Sequence, residues 1–349
     1  MDLETLWFVV IAVAWAGYFA LEGFDFGVGM LLPVLPRNEE ERGTMLRTIG
    51  PFWDGNEVWL VIAGAATFAA FPAWYATMFS GFYVALLLVL VFLIVRVVSF
   101  EWRSKRESPR WRATWTWANT IGSLGAALIW GVGLSNLVSG VPIDSDGDYA
   151  GDFADLFSPY TVYAGVAVVL LFALHGATFL TLRTTGALCE RADHAARRLA
   201  VPSALGAVVL LGWTVVVAMD RNDKDLFPPA LPAIVGAAAL VVAVLCLHTG
   251  RPGRAFAMTG LGIIAVVATL FTSLYPRAMV SNPDFENSLT VDGAASSEYS
   301  LQVMSVVALI FIPLVLLYQG WSYYVFRHRL GGERLGADSR SVPSERPGP

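Results

Sequence analysis

Two short segments of the sequence place carboxylates where the chain passes from polar to strongly apolar residues. The segment "GPFWDGNEVWL" carries Asp54 and Glu57 at the start of an apolar run, and "LEGFDFGVGMLL" carries Glu22 and Asp25 inside one. The members of each pair are three residues apart and share one face of a helix. A carboxyl group in an apolar environment can hold a proton near neutral pH and release it again. The four acids are therefore predicted to form a proton path.

Three further residues are predicted to support this path. Trp53 and Asn56 lie beside the acids of the first segment, and Arg96 lies inside a later apolar run. A second interpretation is equally open, because Arg96 or an arginine of a second subunit can neutralise buried acids as structural ion pairs. Asp54 has an alternative of its own, since a carboxylate in the first turn of a helix can cap free N–H groups.

Membrane-spanning helices are predicted to position these residues. Of the 349 residues, 56% are hydrophobic and 15% are charged, whereas soluble domains carry about 25% charged residues. Several apolar runs approach the length of about 20 residues that crosses a bilayer as a helix. The composition excludes a soluble globular protein and predicts an all-α integral membrane protein, with one transmembrane domain over residues 1–330 and a disordered cytoplasmic tail over 331–349. Nine helices are expected, at about residues 6–36, 54–73, 78–100, 115–138, 160–182, 200–219, 230–249, 255–275 and 300–326.

The distribution of lysine and arginine predicts the orientation. Alternate segments (37–53, 96–112, 183–199, 250–254 and the chain from 327 onward) hold 20 of the 23 basic residues, and the remaining three are Arg221, Lys224 and Arg277. Cytoplasmic segments are the ones enriched in Lys and Arg. The first set is therefore predicted to be cytoplasmic, with the N-terminus outside and the C-terminus cytoplasmic.

A haem or metal site made by this chain alone is not expected. No two of the four histidines are spaced four residues apart, and the two in predicted helices differ in depth. His175 is instead predicted to pack with a hydrogen bond, and Gln319 to form a hydrogen bond between helices. Aromatic residues near helix ends, Tyr323 among them, are interpreted as the aromatic belt of the membrane interface.

The chain resembles subunit II of the cytochrome bd-type quinol oxidases. The resemblance covers essentially the whole chain and is most specific in its first hundred residues. It is carried by "EGFDFGVGML", "RNEEERGTMLRTIGPFWDGNEVWL", "FSGFYVALLLVL" followed by "FEWRSK", "GVPI" and "FIPLVLLYQGWSYYVF". It implies nine helices in two four-helix bundles plus one peripheral helix, paired with a subunit I.

The resemblance also implies an activity and its cofactors. Complexes of this family oxidise quinol and reduce dioxygen to water, with haem b and haem d on subunit I, and some members hold a structural quinone in subunit II. Asp54 matches a residue of the cytoplasmic proton channel proposed for the family, and Asp25 and Glu22 match acidic positions of the GFD motif. Glu57 and His175 each stand where the family pattern often has Gln.

The predicted function is therefore that of the non-haem subunit of a quinol:oxygen oxidoreductase in a bacterial plasma membrane, not catalytic alone. It scaffolds subunit I and contributes to a cytoplasmic proton path through Asp54, Glu57, Asp25 and Glu22. Small accessory subunits and membrane lipid are further expected partners, and nucleic acid is not. Two alternatives are a proton-coupled secondary transporter, whose site would also lie at mid-membrane, and a purely structural subunit.

Overall fold

The structure, a computed structural model, describes residues 2–331 and is mostly helical. Residues 332–349, which make up nearly all of the predicted disordered tail, lie outside the described residues. The helices are α1 (Leu3–Leu31), α2 (Glu39–Ile49), α3 (Trp53–Ala70), α4 (Pro72–Gly81), α5 (Tyr83–Trp102), α6 (Pro109–Ser139), α7 (Pro159–Arg183), α8 (Gly186–Arg221), α9 (Ala230–His248), α10 (Pro252–Leu274), α11 (Val291–Ala294) and α12 (Glu298–Val325). Strands β1 (Arg277–Met279) and β2 (Leu289–Thr290) form a small antiparallel pair.

Eight of these helices are long and apolar enough to cross a membrane. They are α1, α5, α6, α7, α8, α9, α10 and α12. Helix α3 is 18 residues long and is not among them, because Asp54, Asn56 and Glu57 make its first turns polar. The described chain is thus a helical membrane protein with α3 as a shorter helix among the candidate spans.

Several helix ends differ from the prediction, and prolines explain most of the differences. Helix α1 ends at Leu31 rather than near 36, because Pro33 has no N–H to continue the helix. Helix α3 ends at Ala70 rather than 73, since Phe71 precedes Pro72 and Pro72 opens the separate helix α4. The span predicted at 78–100 is therefore divided between α4 and α5. Helix α6 begins six residues early, with Pro109 in its first turn.

Helix α8 is longer than the span predicted at 200–219. It begins at Gly186, so the basic segment 186–199, interpreted as a loop, is helical. This segment, "GALCERADHAARRL", is rich in Ala, Leu, Glu and Arg, which favour helix. Pro202 lies inside the helix without ending it.

Helix α1 is the element around which the others pack, because it contacts α3, α6, α7 and α10. Its closest approach is to α7, where Gly27 faces Gly176. A Cβ atom at Gly27 would lie 2.8 Å from the Cα of Gly176 and against the carbonyl oxygen of Phe172. Only glycine permits backbones to pass this closely, as at other small-residue crossings in membranes.

The basic segments lie on one side of the helix bundle, where α1, α5, α7 and α9 end and α3, α6, α8 and α10 begin. This side is called the basic side below. On it, α2 joins distant elements: Glu39 pairs with Arg103 at the end of α5, and Glu41 pairs with Arg191 of α8 at 2.5 Å. Arg191 also donates from Nε to the carbonyl of Leu35 at 2.8 Å. The loop after α1 is thereby fixed to two other helices.

Helix α12 lies at the periphery of the bundle. Leu301 is the only buried residue among its 28. At the end far from the basic side, the indole Nε1 of Trp7 donates to Ser305 Oγ at 3.0 Å and to the Leu301 carbonyl at 3.2 Å. Near the basic side, Gln319 and Tyr323 reach inward to α3.

Replacement of Gly176 by Ala is expected to separate α1 from α7. The added Cβ would lie 2.6 Å from the Cα of Gly27, and overpacking of this kind costs about 1–3 kcal/mol. The measurements are the yield of monodisperse protein and its melting temperature in detergent. Gly212→Ala in α8 is the matched control, because a Cβ there meets no atom within 4 Å. Equal stability of the two variants would contradict the close packing of α1 on α7.

Acidification is expected to release α2 from its partners. Although partial burial opposes the effect, Arg103 and Arg42 lower the pKa of Glu39, and the Arg37 N–H and Arg191 lower the pKa of Glu41. Carboxyls with lowered folded-state pKa values stabilise the fold above the unfolded value, about 4.3 for Glu, and lose that effect as the pH falls through the folded value.

Hydrogen exchange of the α2 amides, corrected for intrinsic rates, measures this release. Protection should be constant at neutral pH and fall below about pH 4.3, the ordinary pKa of Glu. The double variant Glu39→Gln, Glu41→Gln should lack this pH dependence, whereas the control Glu40→Gln, at an exposed neighbouring residue, should keep it. An unchanged acid response in the double variant would show that other groups hold α2.

Candidate proton-transfer site

The centre of the site is the guanidinium of Arg96, which α5 carries into the bundle. Arg96 and Glu22 are both fully buried, and Arg96 Nη1 lies 2.5 Å from Glu22 Oε1. The guanidinium also faces two aromatic rings, with its Cζ 4.8 Å from the centroid of Phe26 and 5.4 Å from that of Phe100. The ion pair joins α1 to α5 across 74 residues of sequence.

Glu57 approaches the same guanidinium from α3. Its Oε1 lies 3.9 Å from Arg96 Nη1, and its side chain is 20% exposed whereas that of Glu22 is fully buried. Trp53, one turn earlier on α3, packs against Phe100 with ring centroids 5.5 Å apart. Phe100 in turn supports the guanidinium, so Trp53 contacts the site through this ring.

Asp25 takes a different partner from Glu22, although the two share a face of α1. Its Oδ2 accepts a hydrogen bond from Asn56 Nδ2 at 2.7 Å. Asn56 Nδ2 also donates to the Leu21 carbonyl at 3.3 Å. Asp25 forms no salt bridge with any of the residues 2–331.

Asp54 lies apart from this cluster, exposed in the first turn of α3 on the basic side. The residue that caps α3 is Phe52, and no described side chain bonds to the free N–H groups there. The interpretation of Asp54 as a capping residue is therefore wrong in this structure. Its carboxylate still lies near the positive end of the helix dipole.

The buried charges do not balance. Glu22 and Glu57 face the guanidinium of Arg96, and the carboxyl group of Asp25 lies close enough to interact electrostatically with it. Full ionisation would leave two uncompensated negative charges in an apolar interior, which is costly. Glu22 Oε2 and Asp25 Oδ1 are buried and accept no hydrogen bond from an N–H group of the described residues, while the two carboxyl groups lie within hydrogen-bond reach of each other. The arrangement suits groups that carry protons.

Residues of α12 complete the site, although neither Gln319 nor Tyr323 was predicted to belong to it. Trp59 Nε1 donates to Gln319 Oε1 at 2.7 Å, Gln319 Nε2 donates to Asn56 Oδ1 at 3.1 Å, and Tyr323 OH donates to the same oxygen at 2.8 Å. The hydrogen bond predicted for Gln319 is confirmed. Tyr323, interpreted above as a belt residue, also belongs to this network. A polar face on an otherwise apolar helix was the available signal.

The predicted packing role of His175 is confirmed. Its Nδ1 lies 2.7 Å from Thr259 Oγ1, and its Nε2 lies 3.1 Å from the carbonyl oxygen of Ala20. The ring stacks on Phe256 with centroids 4.5 Å apart. Both ring nitrogens are thus engaged within the helix bundle.

Comparison with known proteins identifies the family. The sequence profile described as cytochrome bd terminal oxidase subunit II matches residues 3–326. The cytochrome bd ubiquinol oxidase subunit 2 of Bacillus subtilis (strain 168) is 42% identical over 334 residues, covering 94% of this chain and 97% of the relative. The chain belongs to the cytochrome bd subunit II family. The cytochrome bd-I ubiquinol oxidase subunit 2 of Escherichia coli (strain K12) is 36% identical over 372 residues, covering 97% and 98%.

A solved structure shows the same fold. A chain of the bd oxidase from Geobacillus thermodenitrificans superposes with a TM-score of 0.72 at 20% identity, covering 93% of this chain and 99% of that one. Family and fold together make this protein a subunit of a membrane oxidoreductase, a terminal oxidase of the bacterial plasma membrane. They favour the oxidase function predicted from the sequence over the secondary transporter.

Loss of the buried guanidinium is expected to destabilise the protein more than loss of the whole ion pair. Arg96→Met leaves Glu22 buried without its partner, and breaking a buried pair in this way costs about 3–5 kcal/mol. The double variant Arg96→Met, Glu22→Gln removes both charges and should recover most of the stability. Thermal unfolding in detergent measures the free energy, and Arg110→Met, at an exposed arginine, is the control. A double variant as unstable as the single one would contradict the pairing.

Proposed function

We propose that the chain is the non-haem subunit II of a complex that oxidises quinol and reduces dioxygen to water. The names of its relatives, cytochrome bd ubiquinol oxidase subunit 2, support this substrate. The overall chemistry takes four electrons from two quinols and four protons for each dioxygen, and yields two waters. The contribution of this chain is to support its partner and to deliver protons.

The haems, of types b and d, are proposed to be held by a partner subunit I. His175 does not fit a haem, because both of its ring nitrogens are engaged with Thr259 and Ala20. His194 is exposed and places its Nδ1 2.8 Å from the Glu190 carbonyl. Among residues 2–331, no group of three or more His, Cys, Asp or Glu side chains has the geometry of a metal site. These residues favour a chain whose haems are held by another subunit.

The proposed topology has nine spans, with α3 as the ninth. Helix α1 contacts α3 and α6, and α6 contacts α5, whereas α7, α8, α9 and α10 form a closed ring of contacts; this supports two groups of four helices with α12 outside them. The basic side is proposed to be cytoplasmic on the positive-inside rule. This places the N-terminus outside and the C-terminus in the cytoplasm.

The proton path is proposed to enter at Asp54 and to reach Glu57, Glu22 and Asp25. The observation that carries it is the excess of carboxyls over arginine, because the two buried groups of Glu22 and Asp25 and the partly buried group of Glu57 share the one guanidinium of Arg96. Asp54 offers an exposed carboxylate on the proposed cytoplasmic side, and Glu57 is partly exposed between it and the buried groups. Arg96 stabilises one carboxyl of the cluster in its charged form. The other carboxyls can therefore exchange protons with water or with the partner subunit.

The remaining apolar surface is proposed to face subunit I, accessory subunits and membrane lipid. A cleft of about 580 Å³ opens between α1, α3, α4, α5 and α6, lined almost entirely by apolar residues such as Phe68, Phe79 and Trp130. An isoprenoid tail is apolar and suits such a lining. We propose this cleft for a structural quinone of the kind that some members of the family hold, with Tyr75 and Tyr83 supplying hydroxyl groups.

The proposed function is tested by neutralising the two ends of the path. Asp54→Asn and Asp25→Asn should each leave haem content and assembly unchanged and lower oxygen consumption by about 100-fold, the scale of losing a proton-transfer group. Asp146→Asn, in the acidic loop after α6, is the control and should keep full activity.

Three other outcomes would contradict the proposal. Full activity in Asp54→Asn would remove this residue from the path. Joint loss of haem and assembly would indicate a structural role. Purification of the wild-type chain without a haem-bearing partner would overturn the oxidase function itself.

A further inference from the structure

Helix α12 is attached near the basic side by two polar side chains that converge on one residue of α3. Gln319 Nε2 and Tyr323 OH both donate to Asn56 Oδ1, at 3.1 and 2.8 Å. The neighbouring aromatic residues of α12 face outward, since Tyr318, Trp321 and Tyr324 are 68%, 62% and 63% exposed. Tyr323 is turned inward instead, and its ring stacks on Phe52 with centroids 4.4 Å apart.

The direction of every hydrogen bond in this network follows from Trp59. An indole N–H can only donate, so the atom of Gln319 that faces it at 2.7 Å must be the carbonyl oxygen. The amide nitrogen of Gln319 then points to Asn56, and the atom of Asn56 that receives it must again be oxygen. The amide nitrogen of Asn56 is therefore left to donate to Asp25 and to the Leu21 carbonyl.

We propose that Gln319 and Tyr323 are positioning residues of the proton path, an inference that rests on the proposed function. They hold Asn56 in the single orientation in which it donates to Asp25 Oδ2. The amide nitrogen of Gln319 opposes rotation of the Asn56 amide, because a flipped amide would present an N–H group to this donor. The Tyr323 hydroxyl adds a second hydrogen bond to Asn56 Oδ1 in the orientation that Gln319 selects.

This orientation assigns the atom of Asp25 that exchanges protons. Oδ2 already accepts an N–H hydrogen, so a proton on Oδ2 would face the hydrogen of Asn56. The exchangeable proton is therefore carried on Oδ1, which is buried and accepts no N–H hydrogen bond from residues 2–331. The peripheral helix α12 thus determines which carboxyl oxygen of Asp25 exchanges protons with the rest of the path.

Other titratable groups face the same region and set the background of any pH measurement. They are Glu22 and Tyr18 on α1, Glu57 on α3, Arg96 on α5, His175 and Arg183 on α7, and Tyr323 itself on α12. The carboxyl group of Glu22 lies within hydrogen-bond reach of that of Asp25, and the substitutions tested below remove none of these charges. A change confined to the Asn56 amide should therefore be visible against an unchanged set of charges.

The test uses the purified oxidase complex with Tyr323→Phe, Gln319→Leu and the double variant. The measurements are haem content, KM for quinol, kcat of oxygen consumption across pH, and the infrared carbonyl band that Asp25→Asn removes. The double variant should keep its haem and its KM. Its kcat should fall by about tenfold, as expected for a buried polar group that loses its partners. Both the pH profile and the carbonyl band should shift. Each single variant should show a smaller change of the same kind.

Matched controls lie on the same helix. Tyr324→Phe and Gln302→Leu change exposed residues of α12 by the same chemistry and should leave all four measurements unchanged. Trp7→Phe removes the other polar attachment of α12 without touching Asn56. A shift of the pH profile in Trp7→Phe equal to that of the double variant would show that helix docking alone matters, and would overturn the inference.

The remaining outcomes separate this inference from the proposed function. If Asp25→Asn stops oxygen consumption while the double variant keeps its kcat, pH profile and carbonyl band, the inference fails and the proton path stands. If Asp25→Asn retains full activity with its haem intact, the role of Asp25 in the path fails and the inference fails with it. Should the double variant not assemble, Tyr323→Phe decides alone, because it removes one hydroxyl and keeps the ring on Phe52.

Discussion

A guanidinium sealed away from water requires a carboxylate beside it, and the pair of Arg96 with Glu22 meets this requirement between α5 and α1. Helix α6 must come close for the pair to be sealed. A Cβ at Gly122 would lie 2.6 Å from the Phe92 carbonyl and 3.0 Å from the Cβ of Arg96, so only glycine fits there. Burial of this charge pair thus constrains how the backbones of three helices pack. The aromatic rings of Phe26 and Phe100 complete the enclosure without adding charge.

Once the arginine is satisfied by Glu22, every further acid in the region must be accommodated by other means. Asp25 is stabilised by the neutral amide of Asn56, and Glu57 keeps partial contact with the surroundings. Three carboxyls are thereby held in three different environments within a few helical turns. Such differences are what allow neighbouring acids to hold protons with different strengths. A structural subunit would need only the first pair, so the additional acids favour a role in proton transfer.

The sequence predicted the helical membrane fold and the acids of the site, because composition and the i, i+3 spacing are local properties. It predicted that Glu22 and Asp25 share a face, but not that they turn to different partners. The pairing of Glu22 with Arg96 depends on how α1 and α5 cross, and both interpretations of Arg96 were open until that crossing was known. Tyr323 was assigned to an interfacial belt because its position near a helix end is typical of one. Its stacking on Phe52 is a contact between distant segments that no local pattern encodes.

The network from Trp59 to Asp25 explains why a helix that buries a single residue belongs to the site. A hydrogen-bonded chain of amides has two possible directions, and a buried amide with equivalent neighbours could adopt either. The indole of Trp59 removes this choice, since it has a hydrogen to give and no lone pair to accept one. The donor direction set by Trp59 is passed to Gln319 on α12 and then to Asn56 on α3. The amide of Asn56 is therefore oriented only while α12 is in place. A helix at the periphery can therefore contribute to the site. Helix α12 acts through one side-chain carbonyl group and two hydrogen-bond donors rather than through packing.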